Sequence, residues 1–137
     1  MVFCQNTGKG MVAKGYEALL MGGTMVKKER SEVLRGMTGR RKTGCGNVYV
    51  TINEDEDTQS LVECLITIGK SGGCARSWGE ALGRLISMNL RLGGSIDEII
   101  KQLQGIGCHK PHLETLSCPD GIAKILIGRQ EGLEKKK

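Results

Sequence analysis

Hydrophobic and polar residues alternate with a period of two from about Met37. Val48, Val50 and Ile52 interleave with Tyr49 and Thr51, and after an NEDEDT run Val62, Cys64, Ile66 and Ile68 interleave with Leu61, Glu63, Leu65 and Thr67. Successive side chains of an extended strand point to opposite faces, so each run predicts a strand buried on one side. The two together predict an antiparallel hairpin within 38–68, with the acidic run as its solvent tip and Cys64 as a core residue.

The period then lengthens to that of a helix. Trp78, Ala81, Leu82, Leu85, Met88 and Leu92 fit one face of a helix over about 75–92, which Gly93 and Gly94 end. Ser95-Ile96-Asp97-Glu98 has the form of a capping box, in which the Ser95 hydroxyl and the Glu98 carboxylate satisfy free backbone donors, and it opens a second helix over about 95–104. Pro119 suits the first turn of a third helix, because its fixed φ and missing N–H cost nothing there. Ile122, Ala123, Leu126 and Ile127 carry that helix over about 119–128. Strands followed by helices predict an α+β domain, a small antiparallel sheet with three helices packed on one face.

Residues 1–28 read as a separate N-terminal arm with a short amphipathic helix from Met11 to Leu20, interrupted by Gly15. The domain proper is expected over 29–128, with a charged tail over 129–137. With 137 residues the chain is long enough for one domain, but only 3% are aromatic and 21 are Gly. The core is therefore expected to be aliphatic and thin, and backbone entropy is costly enough that a metal would help to offset it.

No window approaches the roughly 18 apolar residues needed to span a bilayer, and no secretory leader is recognisable, so a cytoplasmic protein is expected. The formal charge of +5 is uneven. Lys27, Lys28, Arg40, Arg41, Lys42 and the terminal Lys135-Lys136-Lys137 carry much of it. Such clusters mark either a solvated surface or a nucleic-acid contact.

In a reducing compartment six cysteines are better read as metal ligands, reactive thiols or small core residues than as disulfides. Four share a glycine- or proline-flanked turn at an element boundary: TGCG at Cys45, SGGC at Cys74, GIGC at Cys108 and SCPD at Cys118. Permissive backbone lets neighbouring amides turn toward a thiolate. Cys74 and Cys118 also fall at helix starts, where free N–H groups favour the anion. Four thiolates would close a structural Zn2+ site, and an iron-sulfur cluster takes the same ligands. His109 and His112 could each replace one thiol, but four thiols already complete a shell. A Cys-His catalytic pair lacks anything to orient the base. Gly69-Lys70-Ser71 resembles the end of a phosphate loop, yet Cys64 stands where that loop needs glycine.

The segments RSEVLRGMTGRRKTGCGNVYVTINEDE, IGKSGGCARSWGEALGRLISMNLRLGGSIDEIIKQLQGIGCHK and LSCPDGIAKIL resemble the TSCPD domain, found near the C-terminus of adenosylcobalamin-dependent ribonucleotide reductases and in small stand-alone proteins. The resemblance covers about Arg30 to Leu126. It implies that Cys45, Cys74, Cys108 and Cys118 are the family's own cysteine set. This chain has Leu116 where the signature has threonine. It also lacks the reductases' cofactor-holding barrel and cysteine-rich tail, so no catalytic residue is assigned. The expected function is a non-catalytic zinc-binding accessory module with a protein or nucleoprotein partner, possible self-association and no membrane. The alternatives are a nucleic-acid-binding adaptor and an iron-sulfur or thiol redox protein.

Overall fold

The computed structural model describes residues 26–69 and 73–134. The N-terminal amphipathic stretch, Cys4 and the terminal lysines lie outside them. Three strands, β1 (Arg35–Thr43), β2 (Gly46–Glu54) and β3 (Leu61–Ile68), precede three helices, α1 (Cys74–Arg91), α2 (Ile96–Leu103) and α3 (Cys118–Glu134). The strands form one antiparallel sheet in the order β1-β2-β3.

Alternation dictates the layering. Val48, Val50 and Ile52 of β2 lie opposite Ile68, Ile66 and Cys64 of β3, and all six are buried on one face against Ile86 and Leu90 of α1 and Ile122, Ala123, Ile125 and Leu126 of α3. The core is aliphatic, as the sparse aromatic content requires. Cys64 is buried in it, and desolvation pushes its thiol pKa up to about 12, with the nearby Glu63 charge adding to the rise.

The sheet has one strand more than the hairpin expected from alternation. β1 reads RGMTGRRKT, with Met37 its one large apolar residue. It is nevertheless paired with β2 along its whole length, from Arg35 opposite Glu54 to Thr43 opposite Gly46. Glycine explains its use: a side chain at Gly39 would collide with the Ile125 side chain, so the missing Cβ lets α3 lie directly on the strand.

The same device turns α1 away from the orientation its apolar residues suggest. The helix buries Gly79, Gly83, Ile86 and Leu90, whereas Ala81, Leu85 and Met88 are exposed. A Cβ at Gly83 would stand 2.9 Å from the Cys64 carbonyl oxygen, and one at Gly79 would stand 3.0 Å from Ile68 Cδ1. Close approach of the helix to β3 fixes its rotation, and two glycines that carry no hydropathy signal mark the buried stripe. Next to them, Ser87 Oγ accepts from the Cys64 N–H at 2.9 Å and lies 3.1 Å from the Cys64 carbonyl oxygen, so one hydroxyl engages both outer backbone groups of that residue.

Other local expectations divide. Ser95 caps α2 by accepting from the Asp97 N–H at 3.2 Å, but Glu98 does not complete the capping box; it pairs with Lys101 at 2.7 Å instead. Helix α3 continues past Gly128 to Glu134, anchored where Arg129 donates to Glu54 at 2.6 Å. Among the described residues no helix is long and apolar enough to cross a membrane.

The acidic connection between β2 and β3 is not simply a solvent tip. Glu56 and Asp57 are exposed, but Asp55 is buried at 4% exposure. The Ser31 hydroxyl, the Thr58 N–H and the Thr58 hydroxyl all donate to it, and with Lys28 beyond them they lower its pKa from 3.8 to about 2. A carboxylate with a depressed folded pKa stabilises the fold above its unfolded pKa and loses that contribution as pH falls through the folded value. Stability is therefore expected to fall between about pH 4 and about pH 2 on account of Asp55. Thermal melts of Asp55→Asn across that window should fall less steeply than those of the parent; equal steepness would contradict the assignment.

Candidate metal centre

The β1–β2 turn, the loop after α2 and the start of α3 meet at one corner of the domain, and side-chain hydrogen bonds bring them there. Asp120 Oδ1 accepts from the Gly105 N–H and Oδ2 from the Leu116 N–H, each at 3.0 Å, while Lys124 pairs with Oδ2 at 2.9 Å. Burial raises the Asp120 pKa, but the Lys124 contact and the two amides outweigh it and leave the pKa lowered. Ser117 Oγ donates to the Ile106 carbonyl oxygen and accepts from the Asp120 N–H at 3.3 Å, and the Cys108 N–H reaches the Leu116 carbonyl oxygen at 3.2 Å. The GIGC loop is thereby held against the SCPD turn.

A second set of contacts holds the β-turn in place. Thr115 Oγ1 donates to the Lys42 carbonyl oxygen at 2.8 Å. At Gly44 any Cβ would strike the Lys110 carbonyl, so glycine there lets the TGCG turn lie on the Cys108 loop. Thr43 Oγ1 is 3.3 Å from Cys118 Sγ.

Cys118 is the buried member of the group, at the first turn of α3. Its pKa is raised chiefly by burial, then by the adjacent Cys45 thiol, and further by Cys108, while the Thr43 hydroxyl opposes the rise. Two of the other three cysteines singled out in the sequence thus act on Cys118. The Lys110 N–H points at Cys108 Sγ at 3.4 Å. Cys45 and Cys108 are exposed.

Cys74 is exposed in the first turn of α1 and is not among the groups that Cys118 feels. It follows Gly69 by five residues, and the Cys45 carbonyl oxygen would lie 3.3 Å from a Cβ at Gly69. Among the described residues no three His, Cys, Asp or Glu side chains close into one metal-holding group. The donor type suits a thiophilic cation, since Cys118 is buried with Cys45 and Cys108 near enough to raise its pKa, although the described side chains form no closed ligand set. His112 is occupied locally, its Nδ1 accepting from the Glu114 N–H at 3.4 Å, and His109 is exposed.

The family model of the TSCPD domain matches residues 16–128, most of the chain. The chain belongs to the TSCPD domain family. Comparison with curated proteins and with solved structures gives no match. In this chain the SCPD segment supplies both the buried thiol of the corner, Cys118, and the carboxylate that ties the corner together, Asp120. At the departure from the signature, Leu116 is 48% exposed, so its side chain need not fit the buried turn. Composition and spacing gave no sign of Thr43, Thr115, Ser117 or Asp120, although all four organise this corner; only the SCPD segment itself pointed to the last two.

The basic residues are dispersed. Lys28 is engaged by Thr58 and Ser60, its Nζ lying 2.5 and 2.9 Å from their hydroxyls. Lys27 lies beside α1 near Arg76, Arg84 and Arg91, and Arg41 lies on the helix-covered side of β1 near Gly121. Arg40 and Lys42 alternate onto the opposite, solvent side of the sheet.

Proposed function

We propose that this TSCPD protein is a non-catalytic accessory module stapled by one Zn2+, with Cys45, Cys108 and Cys118 as ligands from the assembled corner and Cys74 as the fourth. The observation that carries the reading is the position of Cys118, a thiol buried against the Cys45 thiol and within the influence of Cys108. Uncharged, such a cluster gains little; with a divalent cation its thiols ionise and their mutual repulsion is replaced by attraction. A closed set of four thiolates leaves no open position for water, which is why the role is structural. On this reading the domain serves as an interaction module in company with ribonucleotide reduction, where the family resemblance points.

Purification without chelators followed by elemental analysis tests it. One zinc per chain, no visible absorbance, and four thiols that become reactive on chelation are expected. Protein without metal would overturn the reading, and a coloured anaerobic preparation containing iron would replace zinc with a cluster. The contact between Cys45 and Cys118 favours one further reading, a dithiol couple. In that case oxidised glutathione would remove two thiols per chain, forming the Cys45–Cys118 disulfide and two reduced glutathiones, whether or not metal had been bound.

A further inference from the structure

The three described helices all pack on one face of the sheet, and no described element covers the other. Strand alternation assigns that open face Gly36, Thr38, Arg40 and Lys42 from β1, Asn47, Tyr49, Thr51 and Asn53 from β2, and Glu63, Leu65 and Thr67 from β3. Its composition is unlike that of a surface awaiting an apolar partner. Tyr49 is in the middle strand, 39% exposed, directly between Arg40 on one neighbouring strand and Thr67 on the other.

We propose that this face is a binding platform for single-stranded nucleic acid, with Tyr49 as the stacking residue and Arg40 and Lys42 as the phosphate contacts. Three observations favour that occupant. The first is charge: among the described residues the face has one acid, Glu63, and Arg30 and Asn53 engage it at 2.9 and 2.6 Å, which leaves Arg40 and Lys42 to set the local potential. The second is spacing. Arg40 and Lys42 are two residues apart on one strand, so their side chains leave the same face about 6.6 Å from each other and form a short row along the edge beside Tyr49.

The third is the surroundings of the ring. Thr38 and Thr51 satisfy each other's hydroxyls at 2.7 Å and Thr67 opposite is small, and Tyr49 keeps 39% of its surface open to solvent. An exposed aromatic face flanked by cations accepts an unpaired base by stacking, which a duplex cannot offer without first being opened. Sequence preference is expected to be slight, because the open face offers a stacking surface and charge in place of a pocket for base edges.

The test uses the full chain and fluorescein-labelled oligothymidylate and oligouridylate of about 12 nucleotides, within the site sizes of sheet-based binders, with a duplex of matched length beside them. Fluorescence anisotropy at about 50 mM salt should show the single strands bound at least tenfold more tightly than the duplex, with affinity falling steeply toward about 200 mM. Tyr49→Ala should weaken binding by at least fivefold, while Tyr49→Phe, which keeps the ring, should stay close to the parent. Arg40→Gln with Lys42→Gln should flatten the salt dependence, by about 0.7 in log-log slope for each phosphate that is no longer neutralised. Lys101→Gln, exposed on α2 in the helix layer that covers the opposite face, should change little. Thermal melts establish that each variant is folded. The proposal is overturned by absence of binding, which would include the case of a face covered by another part of the chain or reserved for a protein. It is equally overturned if folded Tyr49→Ala binds like the parent, or if the duplex is preferred. Metal content measured on the same variants reads out separately from oligonucleotide binding, so the failure of one proposal is distinguishable from failure of the other.

Discussion

Serine at position 118 is expected to release the metal and lower the melting temperature by more than about 10 °C, a shift that corresponds to a few kcal/mol in a domain of this size. Structural zinc contributes on the order of 10 kcal/mol where small domains depend on it. Here the sheet and helices bury an aliphatic core apart from the cysteines of the corner, so a smaller loss is expected. Cys118 is the informative site because it is buried: the substitution removes a ligand and leaves a hydroxyl whose one close partner is Thr43. Cys64→Ser provides the contrast. Also buried, Cys64 lies among Ile52, Ile66 and Ile86 in the core, and its loss should cost about 1–3 kcal/mol through a poorly satisfied hydroxyl while metal stoichiometry stays intact. Cys4→Ser should change neither quantity. Paired measurements of zinc content and melting temperature separate these outcomes, and equal zinc retention in Cys118→Ser and Cys64→Ser would refute the ligand assignment.

Alanine at position 120 should also be damaging, by about 1–3 kcal/mol, for a different physical reason. The carboxylate holds the Gly105 and Leu116 amides and the Lys124 ammonium together. Removing it takes the shared acceptor from two backbone donors, while Lys124, partly exposed, keeps the Glu114 carbonyl oxygen at 2.7 Å. Asparagine does not rescue, since its amide NH2 must face a donor at one of the two oxygen positions. Urea unfolding should place Asp120→Asn well below the parent. The Cys108 loop, freed from the SCPD turn, should also lose metal to a chelator faster. A midpoint for Asp120→Asn within about 1 kcal/mol of the parent would show that Asp120 does not organise the corner.

Patterns made of side chains were legible in the sequence, and patterns made of their absence were not. Val48 to Ile52 and Val62 to Ile68 announce two strands because branched aliphatic residues alternate there, and Ser95 announces the start of α2 because a hydroxyl at that point has a backbone donor to satisfy. β1 stayed hidden because its value lies in Gly39, where α3 touches backbone. The rotation of α1 was misread for the same reason: Gly79 and Gly83 form its buried stripe while Leu85 and Met88 are left outside. Asp55 was misplaced because an acidic run suggests solvent, whereas its neighbours Ser31 and Thr58 supply enough donors to bury it. The cysteine turns could be recognised from their glycines, but their convergence depends on hydrogen bonds between distant segments, such as Thr115 to Lys42, that no local pattern encodes.

The Ser87 hydroxyl bears on how copies of this chain behave at high concentration. A strand at the rim of a sheet is a template on which another molecule can extend the ladder, and β3 is such a rim, rich in branched residues. With both outward groups of Cys64 already engaged by Ser87, an incoming strand meets a gap at the middle of the run and a helix wall beside it. One small polar side chain thus weakens the template that this rim offers to another copy.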